Sequence, residues 1–527
     1  MAPGHLINED GDAFDTKELE ALAKELDSLD EKGRRAFRDA NAEAIATHSG
    51  SEILVVAGPG TGKSTLFKRR ALHWLEKEQT AKILAVSFVR KLVADLHSDI
   101  QNDEKLSDGQ KKQVDVHTLH KYARSVVEQN HGTKAWPFAP YFRIIGQDWK
   151  EIVWNDVLLL SELNSGAYPW ETFEKQLHDD SFEDTANWQK LKRSYFTLCQ
   201  FYNAAGFSDI ILRAKEVLAE NPKLNEHQFF IFDEYQDFNT SEENLLEEMT
   251  KEATGALIVG DDDQVLYETL KSGKASLIRA IYKDTDIINA MLPYCGRCDF
   301  HIAHAARHFI KRAADADCIN KIYLPLGEAA ATSKRVQIVG CATPTTAVDY
   351  IRKFIDDHKA KIERRKKDLE EGKEKDAYLL ILSPSREVNF YKPNGAKEEL
   401  FECIKLYQDE QREFSDDCYR VLNYYALANY PKNNFTFRKV LHYEKVSQDV
   451  LGKLLETCIG GKKPFSAVDD ENIKNARHRL VCGDGHQLFS PLFSFCFGVA
   501  GFHFRQQFIV PLLQELVGSG TGPKVEN

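Results

Sequence analysis

The chain has no excess of positive charge, no patterned cysteines and no apolar run of membrane length. Each absence removes a class of function. Lysine and arginine number 69 against 81 aspartates and glutamates, a formal net charge of −12. An acidic molecule has no global attraction to nucleic acid, so any DNA binding needs a local track. Ten cysteines over 527 residues fall at no repeating spacing, which reads as reduced thiols in a cytoplasmic protein rather than a disulfide framework. The most apolar stretch, "LFSPLFSFCFGVAGFHF" (488–504), is broken by Pro491, Gly498, Gly501 and His503. It falls short of a span, so no membrane partner is expected. The N-terminal "MAPGHLINEDGDAFD" is acidic and polar, which suits neither a signal nor a transit peptide. Internal repeats and long low-complexity segments are missing as well.

What remains is an ordinary globular composition, 43% hydrophobic and 28% charged, in a chain long enough for two to four domains. Residues 17–49 read as charged helix. The strand-like runs "EILVVAG" (52–58) and "AKILAVSF" (81–88) flank the helical "STLFKRRALHWLEKE", a βαβ unit. A largely helical stretch follows over about 120–220, and then two more apolar strands, "FFIFDE" (229–234) and "GALIVGDDDQ" (255–264). That order predicts an α/β fold, a parallel sheet interrupted by a helical insertion. From 335, "RVQIVGC" and "AYLLILSP" suggest a second α/β unit, separated by a mixed-charge solvated helix at 351–375.

"ILVVAGPGTGKST" (53–65) ends an aliphatic strand in three glycines, a lysine and three hydroxyls. Backbone N–H groups of such a turn, continued into a helix N-terminus, cradle phosphate oxygens. Residues Ala57, Gly58, Pro59, Gly60, Thr61, Gly62, Lys63, Ser64 and Thr65 are therefore the candidate nucleotide site. Lys63 would neutralise the β/γ-phosphates, and the Ser64 hydroxyl would complete a Mg²⁺ shell. Ala57 stands where the usual pattern has its first glycine. Hydrolysis needs carboxylates too, and "FFIFDEYQD" delivers Asp233 and Glu234 side by side at a strand end. Asp233 is the candidate metal ligand and Glu234 the candidate base for the attacking water.

Together these residues resemble the UvrD/Rep-type superfamily 1 DNA helicases. "AGPGTGKST" resembles their motif I, "ILAVSFVRKLVADL" (83–96) motif Ia, and "VHTLHKYA" (116–123) the T-x-H segment after it. "DEYQD" (233–237) resembles motif II, "IVGDDDQVLYE" (258–268) motif III and "LPYCGRC" (292–298) motif IV. The resemblance covers about residues 20–310. It implies an ATP- and Mg²⁺-dependent helicase or translocase acting on single-stranded or tailed duplex DNA with 3′→5′ polarity. Gln264 would sense the γ-phosphate, and Arg297 would reach it across a cleft from the second motor domain. Ser87, Phe88, Arg90, Thr118 and His120 would line the single-strand track, with Tyr267 a further candidate or a core tyrosine.

The implied fold is a RecA-like P-loop motor domain at 20–120 and 205–280, with a helical insertion at 121–204. A partial second RecA-like lobe at 281–415 and a helical remnant at 416–515 follow. Residues 1–19 read as a tail and 516–527 as a disordered end. There are departures. Gly33 stands where the family has an adenine-reading glutamine, Gly296 where it has a stacking tyrosine, and motifs V and VI are not found in 445–527. On that basis unwinding by this chain alone is expected to be weak. The alternative is a nucleotide-gated DNA-binding subunit working with another chain, for instance a nuclease. Cys295 and Cys298 form a C-x-x-C without a second pair at ligand spacing, which reads as coincidence.

Overall fold

The computed structural model describes residues 5–8, 13–87, 90–103, 106–265, 272–313, 317–328, 336–337, 339–340, 344–370, 423, 426–427, 430 and 432–468. Its centre is a seven-stranded sheet in the order β1-β9-β2-β8-β7-β3-β4. The strands are β1 (Ile7–Asn8), β2 (Glu52–Ala57), β3 (Ile83–Val86), β4 (Val114–His117), β7 (Phe229–Phe232), β8 (Gly255–Gly260) and β9 (Ile288–Leu292). All pairs are parallel except β1 on β9. The near-continuous apolar runs of these strands follow from burial on both faces. Successive residues point to opposite faces. Leu54, Val56, Phe230, Phe232 and Ile258 enter one core. Ile53, Val55, Ile231, Leu257 and Val259 enter the other.

The second core is closed by helices α2 (Glu31–Thr47), α3 (Lys63–Lys77) and α4 (Arg90–Gln101), whereas α1 (Thr16–Asp27) buries Leu19 and Leu26 in the first. α3 presents Leu66, Phe67, Ala71, Trp74 and Leu75 inward at helical spacing. Buried Arg70 donates to the carbonyls of Ala46, His48 and Gly50, which fixes α3 against the end of α2. The single charged helix expected over 17–49 is in fact two, separated where the Asp30 carboxylate caps α2 by accepting from Gly33 N.

Two sequence-based boundaries are corrected. Residues 1–19 are not merely a tail: Leu6 is buried, β1 pairs with β9, and Asn41 accepts from Leu6 N while donating to Met291 O. A two-residue strand is too short to leave a periodic signal. The division at 281 also fails, because β9 pairs with β2 inside the first sheet, with Val55 opposite Ala290. An apolar five-residue run shows that it is a strand but not which sheet it joins.

The insertion opens and closes with the parallel pair β5 (Arg143–Ile144) and β6 (Ala204–Ala205). Between them lie α5's successors in the chain, α7 (Gln147–Leu160), α8 (Trp170–His178) and α9 (Ala186–Tyr202), with α5 (Asp108–Lys111) and α6 (Leu119–Glu128) preceding. The helices Asn434–Tyr443 and Gln448–Gly460 pack on α7 and α9. Their anchor is ionic: the Arg438 guanidinium donates to both carboxylate oxygens of Asp156 at 2.7 and 2.8 Å, and Tyr202 Oη donates to the same carboxylate at 2.7 Å. All three are buried. Replacing Asp156 by Ala leaves a buried guanidinium unpaired, a loss expected to cost ~3–5 kcal/mol. Denaturant unfolding checks this, and an unchanged midpoint would remove the anchor.

The chain divides into two compact units, residues 1–334 with 414–527 and residues 335–413. Within the second, the described structure is the long helix Pro344–Glu370. Residues 336, 337, 339 and 340 carry no strand, and "AYLLILSP" lies outside the described residues, so no sheet of a second motor lobe is seen among the described residues.

Candidate functional site

β2 sits between β8 and β9, and the loop that follows it lies at the C-terminal edge of the sheet, where α/β folds place ligands. Ala57 is the last residue of β2, in register with Leu292. An extended strand residue tolerates a methyl group, so the missing first glycine of the motif costs nothing. Gly60 and Gly62 have φ of +72° and +106°, where side chains are strained. At Gly60 space is short as well: an added Cβ would lie 2.5 Å from Arg297 Cβ. Gly58 and Thr61 are buried, Thr61 Oγ1 donating to Gly58 O at 2.9 Å, while Pro59 is half-buried. Ser64 and Thr65 are exposed at the start of α3. Orphan backbone donors, a helix N-terminus and Lys63 thus share one corner.

The carboxylates arrive from β7, two strands away. Lys63 Nζ pairs with Glu234 Oε1 at 2.7 Å, and Gln236 Nε2 donates to Glu234 Oε2 at 2.9 Å. Glu234 has φ +51°, a left-handed conformation that costs a non-glycine residue energy and recurs at functional sites. Asp233 is buried, accepting from its neighbour Glu234 N at 3.0 Å and from Ser87 Oγ at 3.2 Å. Asp233 and Ser64 line the same small cavity. Burial first, and then the Glu234 charge, push the Asp233 carboxyl up to about 6 despite Lys63. A carboxylate kept in so unfavourable a setting, beside a hydroxyl at a helix start, is a donor set that suits a hard divalent cation with phosphate oxygens.

Other site residues fall as follows. The Gln264 amide donates to Asp261 Oδ2 at 2.5 Å. Arg297 follows the two-residue strand β10 (Tyr294–Cys295) and is exposed; Gly296 N donates to Gly60 O at 2.9 Å. Arg297 therefore belongs to the same compact unit as the phosphate loop, which corrects the expectation that it reaches over from a second domain. Ser87 is corrected too. Its hydroxyl is buried against Asp233 and offers no surface to a nucleic-acid strand. Thr118 caps α6 by accepting from Lys121 N, and half-buried His120 stands 4.0 Å from Glu242 and edge-on to Phe207. Arg90 opens α4. Phe88 and Tyr267 lie outside the described residues. Phe207, at the start of α10 (Phe207–Glu220), is half exposed beside His120. No motif announced it. Cys295 is buried and Cys298 half-buried, both as free thiols.

Residues 38–286 match the family described as UvrD/REP helicase N-terminal domain. Curated relatives include DNA helicase II of Escherichia coli, 26% identical over 270 residues, or 46% of this chain and 34% of the relative. ATP-dependent DNA helicase Rep of the same organism is 22% identical over 41% of this chain and 34% of its own length. ATP-dependent DNA helicase UvrD1 of Mycobacterium leprae is 24% identical over 57% and 41%. The matched segment thus spans about a third of the first two relatives. With the motif-bearing strands and loops placed as above, residues 38–286 are similar in sequence to the N-terminal domain of UvrD/REP helicases.

Proposed function

We propose that this chain is an ATP-hydrolysing, Mg²⁺-dependent motor that binds single-stranded or tailed duplex DNA, with 3′→5′ polarity, in the manner of a UvrD/Rep-type helicase. The observation that carries the reading is the convergence of Lys63, Asp233 and Glu234 beside the phosphate loop. In this reading Mg·ATP supplies the divalent cation and the bond to be cleaved. The chain's own groups do the rest. The loop N–H groups and Lys63 hold the β/γ-phosphates, and Ser64 and Asp233 hold the cation. Glu234 takes the proton of the attacking water, while Gln264 and Arg297 face the γ-phosphate. When phosphate draws Lys63 away, Glu234 is released to act as a base. A cytoplasmic setting fits the unbridged cysteines Cys199, Cys295, Cys298, Cys318 and Cys458.

The DNA track of this proposal comprises Phe88, Arg90, Thr118, His120 and Tyr267, to which we add Phe207 because its half-exposed ring lies edge-on to His120. An acidic chain must bind DNA locally, so affinity should favour single strands, ignore sequence and weaken steeply with salt. Stacking on an aromatic ring is worth ~1–3 kcal/mol per base. Paired replacement of Phe88 and Arg90 by Ala is therefore expected to weaken oligonucleotide binding by about tenfold or more at fixed salt, read by fluorescence anisotropy. Equal affinity in parent and variant would discard the track.

A further inference from the structure

The segment 318–324 lies across the sheet's C-terminal edge and is tied down at both ends of the site. Lys321 Nζ reaches the carboxylates of three successive residues, Asp261, Asp262 at 3.0 Å and Asp263 at 2.6 Å. Its side chain is 9% exposed, and those of Asp261 and Asp262 are at most 1% exposed. Asp262 also accepts from Arg279 Nε at 2.8 Å and from Ile319 N at 2.9 Å. Two residues further along, Tyr323 Oη donates to Pro59 O of the phosphate loop at 3.0 Å, and the Tyr323 ring lies against Gly58. Among the described residues, Asp262, Asp263 and Cys318 form a group with metal-type spacing, but Lys321 and Arg279 already neutralise its carboxylates. Burial lowers the affinity of Lys321 for its proton, but the three carboxylates outweigh that and hold the ammonium above its ordinary range.

Asp261 is the pivot. It accepts from Lys321 and, through Oδ2, from Gln264 Nε2. An amide nitrogen carries two N–H groups. With one anchored on Asp261, the second is free to point at a phosphate oxygen in a fixed direction. Without Lys321, three adjacent carboxylates repel one another, Asp261 turns, and Gln264 loses its anchor.

We propose that Lys321 and Tyr323 are positioning residues for ATP hydrolysis, the two fastenings of a strap that holds Gln264 and the phosphate loop in one fixed relation. The inference rests on the ATPase reading above. It assigns a role to a segment that lies between the recognised motifs and belongs to none of them.

Steady-state ATP hydrolysis by the full chain with saturating single-stranded DNA tests it. Misplacing a catalytic group by about 1 Å costs ~10²-fold. Lys321→Met is therefore expected to lower kcat by ~10–100-fold with KM for ATP within about threefold of the parent, and Lys321→Arg to restore most of the loss. A folded Lys321→Met variant with parental kcat overturns the proposal, as does a failure of Lys321→Arg to recover kcat. Should Lys321→Met not fold, Tyr323→Phe carries the test, since it removes one hydroxyl and keeps the ring. A fall in kcat of ~2–10-fold supports the strap, and parental kcat overturns it. A parent chain without any ATPase overturns the underlying reading, and this proposal with it.

Discussion

Glu234→Gln is expected to abolish turnover while tightening nucleotide binding. Paired with Lys63 and not assigned to the cation, the Glu234 carboxylate is the group this account casts as acceptor of the water proton, so its loss should cost ~10²–10⁴-fold in kcat. The gain in affinity follows from the ion pair with Lys63 at 2.7 Å, whose partners are 14% and 18% exposed. In the parent, incoming phosphate must draw Lys63 off Glu234. The amide releases the ammonium beforehand, and one such partly buried pair corresponds to roughly tenfold in dissociation constant. Single-turnover hydrolysis and titration with a fluorescent nucleotide measure the two effects separately. A variant that hydrolyses ATP at the parental rate would remove Glu234 from the role of base.

The second large effect has opposite signs in stability and activity. Asp233→Asn should stabilise the nucleotide-free chain and eliminate Mg²⁺-dependent hydrolysis. A buried carboxyl held near 6 rather than 3.8 costs on the order of 2–3 kcal/mol to keep ionised at neutral pH. The asparagine escapes that penalty while retaining an acceptor for Glu234 N. The folded chain binds this proton more tightly than the unfolded chain does. The penalty is therefore fully present above about 6 and is relieved as pH falls through 6 towards 4. The stability difference between variant and parent should accordingly be large at pH 8 and shrink at pH 5. Thermal unfolding at the two pH values reads the effect. Equal or lower stability of the variant at pH 8 would contradict the burial argument.

Both predictions rest on residues legible in the sequence, because each motif is local. A strand, a glycine turn and a helix start within thirteen residues declare a phosphate corner, and an apolar strand ending in Asp233–Glu234 declares its carboxylates. What the sequence hid is long-range. β9 and β1 join the first sheet through registers that no periodicity encodes. Ser87 alternates into the interior beside Asp233, although its motif suggested a surface role. Lys321 lies about 60 positions from the aspartates it clamps, and Arg438 is 282 residues from Asp156. Neither lysine nor arginine advertises its partner when the contact is made by folding rather than by neighbouring sequence.

The most direct measurement is ATP hydrolysis by the purified chain with and without single-stranded DNA, set beside Lys63→Ala. The account predicts a Mg²⁺-dependent rate that rises severalfold with single strands of any sequence and vanishes in Lys63→Ala, whose fold is unchanged. No hydrolysis in either condition, or equal hydrolysis by Lys63→Ala, would contradict it.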